Sequence, residues 1–71
     1  MMPLRERIER LNEHTDWAVL IQIAQANLEK DDILRELSCA WSTVTRWAAG
    51  HTRPGPAART AIKQKLLTLA E

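Results

Sequence analysis

The sequence predicts an all-α fold, a compact bundle of about five helices. Three observations lead there. Apolar residues recur at helical spacing along nearly all of the 71 residues, and no segment alternates like a half-buried strand. Tyr and Phe are absent, while Ala, Leu, Glu, Arg and Gln, good helix formers, dominate. The pattern breaks in the segment Gly50-His51-Thr52-Arg53-Pro54-Gly55-Pro56, where Pro54 and Gly55 exclude regular helix.

The first helix is expected over Pro3–Asn12, with Pro3 at the first helical position, where its missing N–H costs nothing. Leu4, Ile8 and Leu11 share a face, and Glu6–Arg10 is a favourable i,i+4 pair. A second helix opens at Thr15 or Asp16, either of which can cap it. Trp17, Leu20, Ile21 and Ala24 form its apolar stripe, Leu28 follows in the turn, and Val19 and Ile23 lie off the stripe. A third helix covers Lys30–Leu37, with Asp31 and Asp32 at its electropositive start and Ile33, Leu34 and Leu37 facing inward. A turn at Ser38-Cys39-Ala40 leads to a fourth helix, Trp41–Ala49, closed by Gly50 as a left-handed cap. The last helix spans Pro56–Leu69. Ala58, Ile62, Leu66 and Leu69 line its apolar side, and Arg59, Lys63 and Lys65 form a basic flank.

This length makes one domain, residues 1–71, with a thin core that oligomerisation would help. Cys39 is the only cysteine, so no internal disulfide is available, which fits a reducing compartment. No stretch approaches a membrane span, and Met1-Met2-Pro3-Leu4-Arg5-Glu6-Arg7 lacks the apolar run of a signal peptide. A soluble, cytoplasmic protein is expected. Charge is divided along the chain: residues 1–37 hold five basic and eight acidic side chains, residues 38–71 five basic and one acidic. Such a division suggests one face for a polyanion.

The informative stretch is residues 30–50, two short helices joined by a tight turn, the second ending in glycine. That is the helix-turn-helix pattern, whose second helix enters the major groove of DNA. Val44 and Trp47, three apart, would hold that helix on the core. Ser42, Thr43, Thr45 and Arg46 offer small polar or basic groups elsewhere on it.

Ile33-Leu34-Arg35-Glu36-Leu37, then Ser42-Thr43-Val44-Thr45-Arg46-Trp47-x-x-Gly50, then Arg53-Pro54 resemble the Cro/Xre family of phage and bacterial repressors over roughly residues 17–67. Asn27-Leu28 matches the turn before the family's first motif helix. The chain departs from the pattern at Leu34 (usually Ala), Ser38 (usually the turn Gly), Ala40 (usually a capping Ser or Thr) and Trp41 (usually polar). It carries an N-terminal helix within residues 1–14, expected to take the core place of the family's fifth helix, and a C-terminal helix within 56–70. The resemblance implies a lambda-repressor-like fold. It implies base contacts from Trp41, Ser42, Thr45 and Arg46, and phosphate contacts from Lys30, Thr43, His51 and Arg53.

Trp47 and Trp17 are expected in the core, and Cys39 as a small buried residue of the turn. Trp41 stays open between folding back on the core and facing DNA. Lys63 and Lys65 are expected on solvated surface. His14, Cys39 and His51 lack zinc-ligand spacing. Neither Ser38 nor Ser42 forms a catalytic triad with His51, and no phosphate-binding glycine loop exists. The expected function is therefore not enzymatic and needs no cofactor or small-molecule ligand. It is sequence-specific duplex binding by a homodimer on an inverted-repeat operator, as a transcriptional repressor occluding a promoter. Val19, Ile23, Leu67 or Leu69 would supply the dimer interface. The alternatives are a recombination directionality factor, an antitoxin-type autoregulator, or a helical protein-interaction module without DNA binding.

Overall fold

The computed structural model describes residues 2–71, so Met1, the first residue of the expected N-terminal segment, lies outside it. Five helices follow one another: α1 (Leu4–Arg10), α2 (Trp17–Asn27), α3 (Lys30–Leu37), α4 (Trp41–Ala48) and α5 (Pro56–Leu69). No strand occurs among the described residues. The apolar stripes decide the packing. α4 lies on α2, α3 lies on α5, and α1 lies against both α2 and α5. Ile8, Leu20, Ile21, Ile33, Val44 and Leu66 are fully enclosed. Beside them the indoles of Trp17 and Trp47 meet edge to face, centroids 5.5 Å apart and planes at 67°. The N-terminal helix thus reaches the core through Ile8.

The helix ends differ from expectation in instructive ways. α1 is shorter: Pro3 sits before the helix rather than inside it, and Leu11 is already extended. The cause lies just beyond, where Asn12 Oδ1 accepts the N–H groups of His14 (2.7 Å) and Thr15 (3.1 Å) and closes a local turn. Neither Thr15 nor Asp16 caps α2. Asp16 holds the cap position, but its carboxylate accepts the Asn12 N–H instead, at 3.0 Å. α4 stops at Ala48, one residue early. Gly50 then adopts φ +79°, its N–H bonds Trp47 O at 3.1 Å, and the His51 N–H bonds Arg46 O at 3.0 Å. Those paired bonds are the Schellman closure.

The inward face of α5 is also rotated from expectation. Ala58 is exposed, while Arg59 and Leu67 are buried. Arg59, Ile62 and Leu66 continue one stripe at helical spacing, and the arginine at its head is accommodated by neutral acceptors. Its Nε donates to His14 Nδ1 (3.1 Å) and its Nη1 to Pro54 O (2.8 Å). Lys63 is likewise mostly enclosed. It donates to Glu9 O and Leu11 O and pairs with Glu13 at 3.6 Å. Arg59 and Lys63 therefore do not form a solvated basic flank; Lys65 alone of the three is exposed.

Trp47 is 7% exposed, so Trp47→Ala removes a contact worth about 3–5 kcal/mol, most of what a small domain has. Thermal melting should show loss of the cooperative transition; a variant that melts like the parent would put Trp47 outside the core. Ser38, which ends α3, has φ +51°, left-handed backbone that suits glycine. Ser38→Gly should stabilise by roughly 1 kcal/mol, raising Tm by about 4–8 °C. Gly50→Ala, where an added Cβ meets nothing within 4 Å, should lower stability by a similar amount through backbone conformation alone. An unchanged Tm in both variants would contradict the left-handed assignment.

Candidate nucleic-acid interface

α4 is divided cleanly into two faces. Val44, Trp47 and Ala48 are buried on α2. Ser42, Thr45, Arg46 and Ala49 are exposed and fall at i, i+3, i+4 and i+7, one continuous stripe of small side chains around a single cation. Gln22 fixes the far end of this helix from α2, donating through Nε2 to Ala48 O at 2.7 Å. At the near end Ala40 offers no side-chain cap, as its identity predicted.

Of the two placements that its sequence position left open, the fold shows the first in part: Trp41 packs against the core. It is half-buried at the margin of the core, and Lys30 Nζ lies 5.3 Å from its ring centroid. A cation over an aromatic face is favourable, and here it draws Lys30, at the start of α3, to the start of α4. Thr43 is half-buried, and Cys39 is half-buried in the turn rather than enclosed. Partial burial pushes the Cys39 thiol pKa up, which favours the unreactive thiol.

Beyond the C-terminus of α4, His51, Thr52 and Arg53 are exposed. Arg53 Nη1 donates to His14 O at 3.2 Å, tying this loop to the α1–α2 loop. The expected base-facing residues Ser42, Thr45 and Arg46 thus share one surface. Lys30 and Arg53 flank it at either end, with Trp41 contributing an edge. Of the expected dimer contacts, Leu67 is buried in the core of its own chain, and Ile23 and Leu69 are half-buried against that core. Val19 remains exposed at 46%. Among the described residues no three His, Cys, Asp or Glu side chains converge as a metal set. Among the described residues no helix is long and apolar enough to cross a membrane.

Sequence reasoning missed the polar residues that hold this surface. Gln22 sits one position from the apolar stripe of α2, and only its partner Ala48 O reveals its role. Glu13 carries no motif, yet its carboxylate accepts the Thr60 hydroxyl at 3.1 Å and faces Lys63. Its pKa is lowered, first by its own backbone N–H, then by Thr60, with Lys63 adding attraction against some desolvation. Because the folded value lies below the unfolded one, this contribution is present above the ordinary glutamate range. It is lost as pH falls through the folded value. Glu13→Gln should therefore reduce stability at neutral pH and make the acid limb of a Tm-against-pH curve shallower; an acid limb identical to the parent's would remove Glu13 from the clamp. Compared with models of known protein families, curated proteins and solved structures, the chain matches none.

Proposed function

We propose that the chain is a sequence-specific double-stranded DNA-binding protein with a helix-turn-helix of the Cro/Xre kind in a lambda-repressor-like bundle. α3 is its first motif helix and α4 its recognition helix. The observation that carries this reading is the exposed stripe Ser42, Thr45, Arg46 and Ala49, backed on its opposite side by buried Val44, Trp47 and Ala48. A helix that enters the major groove needs such a face: low enough to approach base edges, with an arginine that can pair guanine by two hydrogen bonds. Lys30, His51 and Arg53 supply phosphate contacts from the elements before and after it. Binding of this kind across a promoter would occlude it, so repression is the regulatory outcome proposed. A single short helix reads few base pairs, so the working form is a homodimer on an inverted repeat. The interaction-module alternative is less well supported. Among the described residues Met2 and Val19 are the exposed large apolar side chains, too little for an apolar docking face.

Selection of bound sites from random duplex, followed by affinity across a salt series, tests the reading. Arg46→Ala should cost about 1–3 kcal/mol on the selected site and relax preference at one base pair per half-site. Random duplex should be less affected. Arg53→Ala should weaken selected and random duplex alike and flatten the dependence of log affinity on log salt. Enrichment of no site, or parallel losses for Arg46→Ala with altered base preference for Arg53→Ala, would refute the assignment. Recovery of a single, unrepeated half-site would refute the dimer.

A further inference from the structure

Arg59, near the start of α5, is the one charged side chain buried among the described residues, at 8% exposure. No carboxylate pairs with it among those residues. Burying a guanidinium without a counter-charge costs stability, and an apolar side chain of similar length would fill the same space without that cost. What the arginine adds is a pair of directed donors. Its Nε reaches His14 Nδ1 in the α1–α2 loop at 3.1 Å, and its Nη1 reaches Pro54 O in the α4–α5 loop at 2.8 Å.

Both bonds bear on Arg53. Pro54 follows it in the chain, and His14 O accepts Arg53 Nη1 at 3.2 Å. Arg59 thus holds the imidazole of the residue whose carbonyl holds Arg53. Among the described residues no other hydrogen bond reaches residues 52–54. Packing does not fix this loop either. Thr52 and Arg53 are exposed. With His51 they wall a cleft of about 410 Å³ that opens between their loop, the α1–α2 loop and the first turn of α2. A loop standing over open space takes its position from the bonds at its margins.

We infer that Arg59 and His14 are positioning residues for duplex binding: their hydrogen bond locks the α4–α5 loop so that Arg53 meets a phosphate already in place. The consequence for DNA rests on the function proposed above, whereas the lock rests on the hydrogen bonds alone. A loop ordered before binding avoids the cost of being ordered by its ligand. Arg46 is independent of the joint, because α4 is seated through Val44 and Trp47. Loss of the joint therefore acts on phosphate affinity and not on base preference.

The test uses the full chain. His14→Ala removes the imidazole acceptor and keeps the main-chain carbonyl that Arg53 uses; His14 is only half-buried, so the fold is retained. His14→Gln restores a side-chain acceptor. In the free protein, 15N relaxation should show the Thr52 and Arg53 amides as rigid as the helices. They should gain picosecond-to-nanosecond motion in His14→Ala and lose it again in His14→Gln. On duplex, His14→Ala should weaken the selected site and random sequence alike, roughly tenfold at low salt. It should lower the slope of log affinity against log salt by about 0.9 and leave the preferred sequence unchanged. Arg59→Met should reproduce this pattern. In an Arg53→Ala background, His14→Ala should add less than about a twofold loss, because both changes remove the same contact. Unchanged relaxation in His14→Ala would overturn the lock. A loop released with no change in salt slope, or losses that multiply in the Arg53→Ala background, would overturn the positioning role. A parent chain that binds no duplex overturns the DNA reading and this role with it, and the relaxation result alone then decides the lock.

Discussion

The edge-to-face contact of Trp17 and Trp47 is the constraint from which the rest of the surface follows. The chain has three aromatic residues, and two of them are spent here, joining α2 to α4. α4 has eight residues and no side-chain cap, far too short to hold a helical shape in isolation. Its conformation is therefore imposed by what Val44, Trp47 and Ala48 bury. Fixing that face fixes the other. Once Trp47 is seated against Trp17, Ser42, Thr45, Arg46 and Ala49 have only solvent, or a ligand, to face. The Gln22 bond to Ala48 O and the Gly50 closure then set where the helix stops.

The molecule tends its helix ends with cations on carbonyl groups and leaves the helix starts without side-chain caps. None of the five helices has a side-chain N-cap bond among the described residues. Instead Lys63 gathers Glu9 O and Leu11 O at the end of α1, and Arg5 takes Leu67 O near the end of α5. Cations at helix C-termini are favoured by the dipole. Arg59 binds a loop carbonyl instead, Pro54 O ahead of α5, while holding His14, and no carboxylate pairs with it among the described residues. A buried guanidinium is costly unless its donors are met, so the loops around it are bound to one another through it. The α1–α2 loop, the α4–α5 loop and α5 form one polar joint, and the cleft is its open side.

Helix number, order and most boundaries were legible because periodicity and breakers act locally. α3 and α5 have the expected bounds, and the fourth helix differs by one residue. The core tryptophans were legible for the same reason: Trp17 heads the α2 stripe, and Trp47 stands three residues after Val44. What was not legible is set by partners distant in sequence. Asp16 looked like a cap until the Asn12 N–H, four residues back, took its carboxylate. Arg59 looked like surface because arginine usually is; only the placement of His14 and Pro54 around it permits burial. The outward stripe of α4 was legible as a pattern, whereas the cleft beside it was not, since it exists only where three separated segments meet.

The diversion of Arg59 and Lys63 into the interior has a consequence for any polyanion partner. The basic half of the sequence holds five cations, but those two are tied to carbonyls, to His14 and to Glu13. Along α4 and its flanking segments the charge is carried by Lys30, Arg46 and Arg53, with His51 beside them. Lys30 is shared with the Trp41 ring, and Arg53 with His14 O. Affinity for duplex grows with the number of phosphates neutralised, and its salt dependence grows by about 0.9 per contact. So few cations give one copy a weak, shallow salt response. On the proposed reading, the same sparsity would keep the non-specific background low and leave discrimination to what Arg46 and its small neighbours can read. A second copy would then double the contacts without adding charge to either one, while the remaining cations stay committed to the chain's own loops.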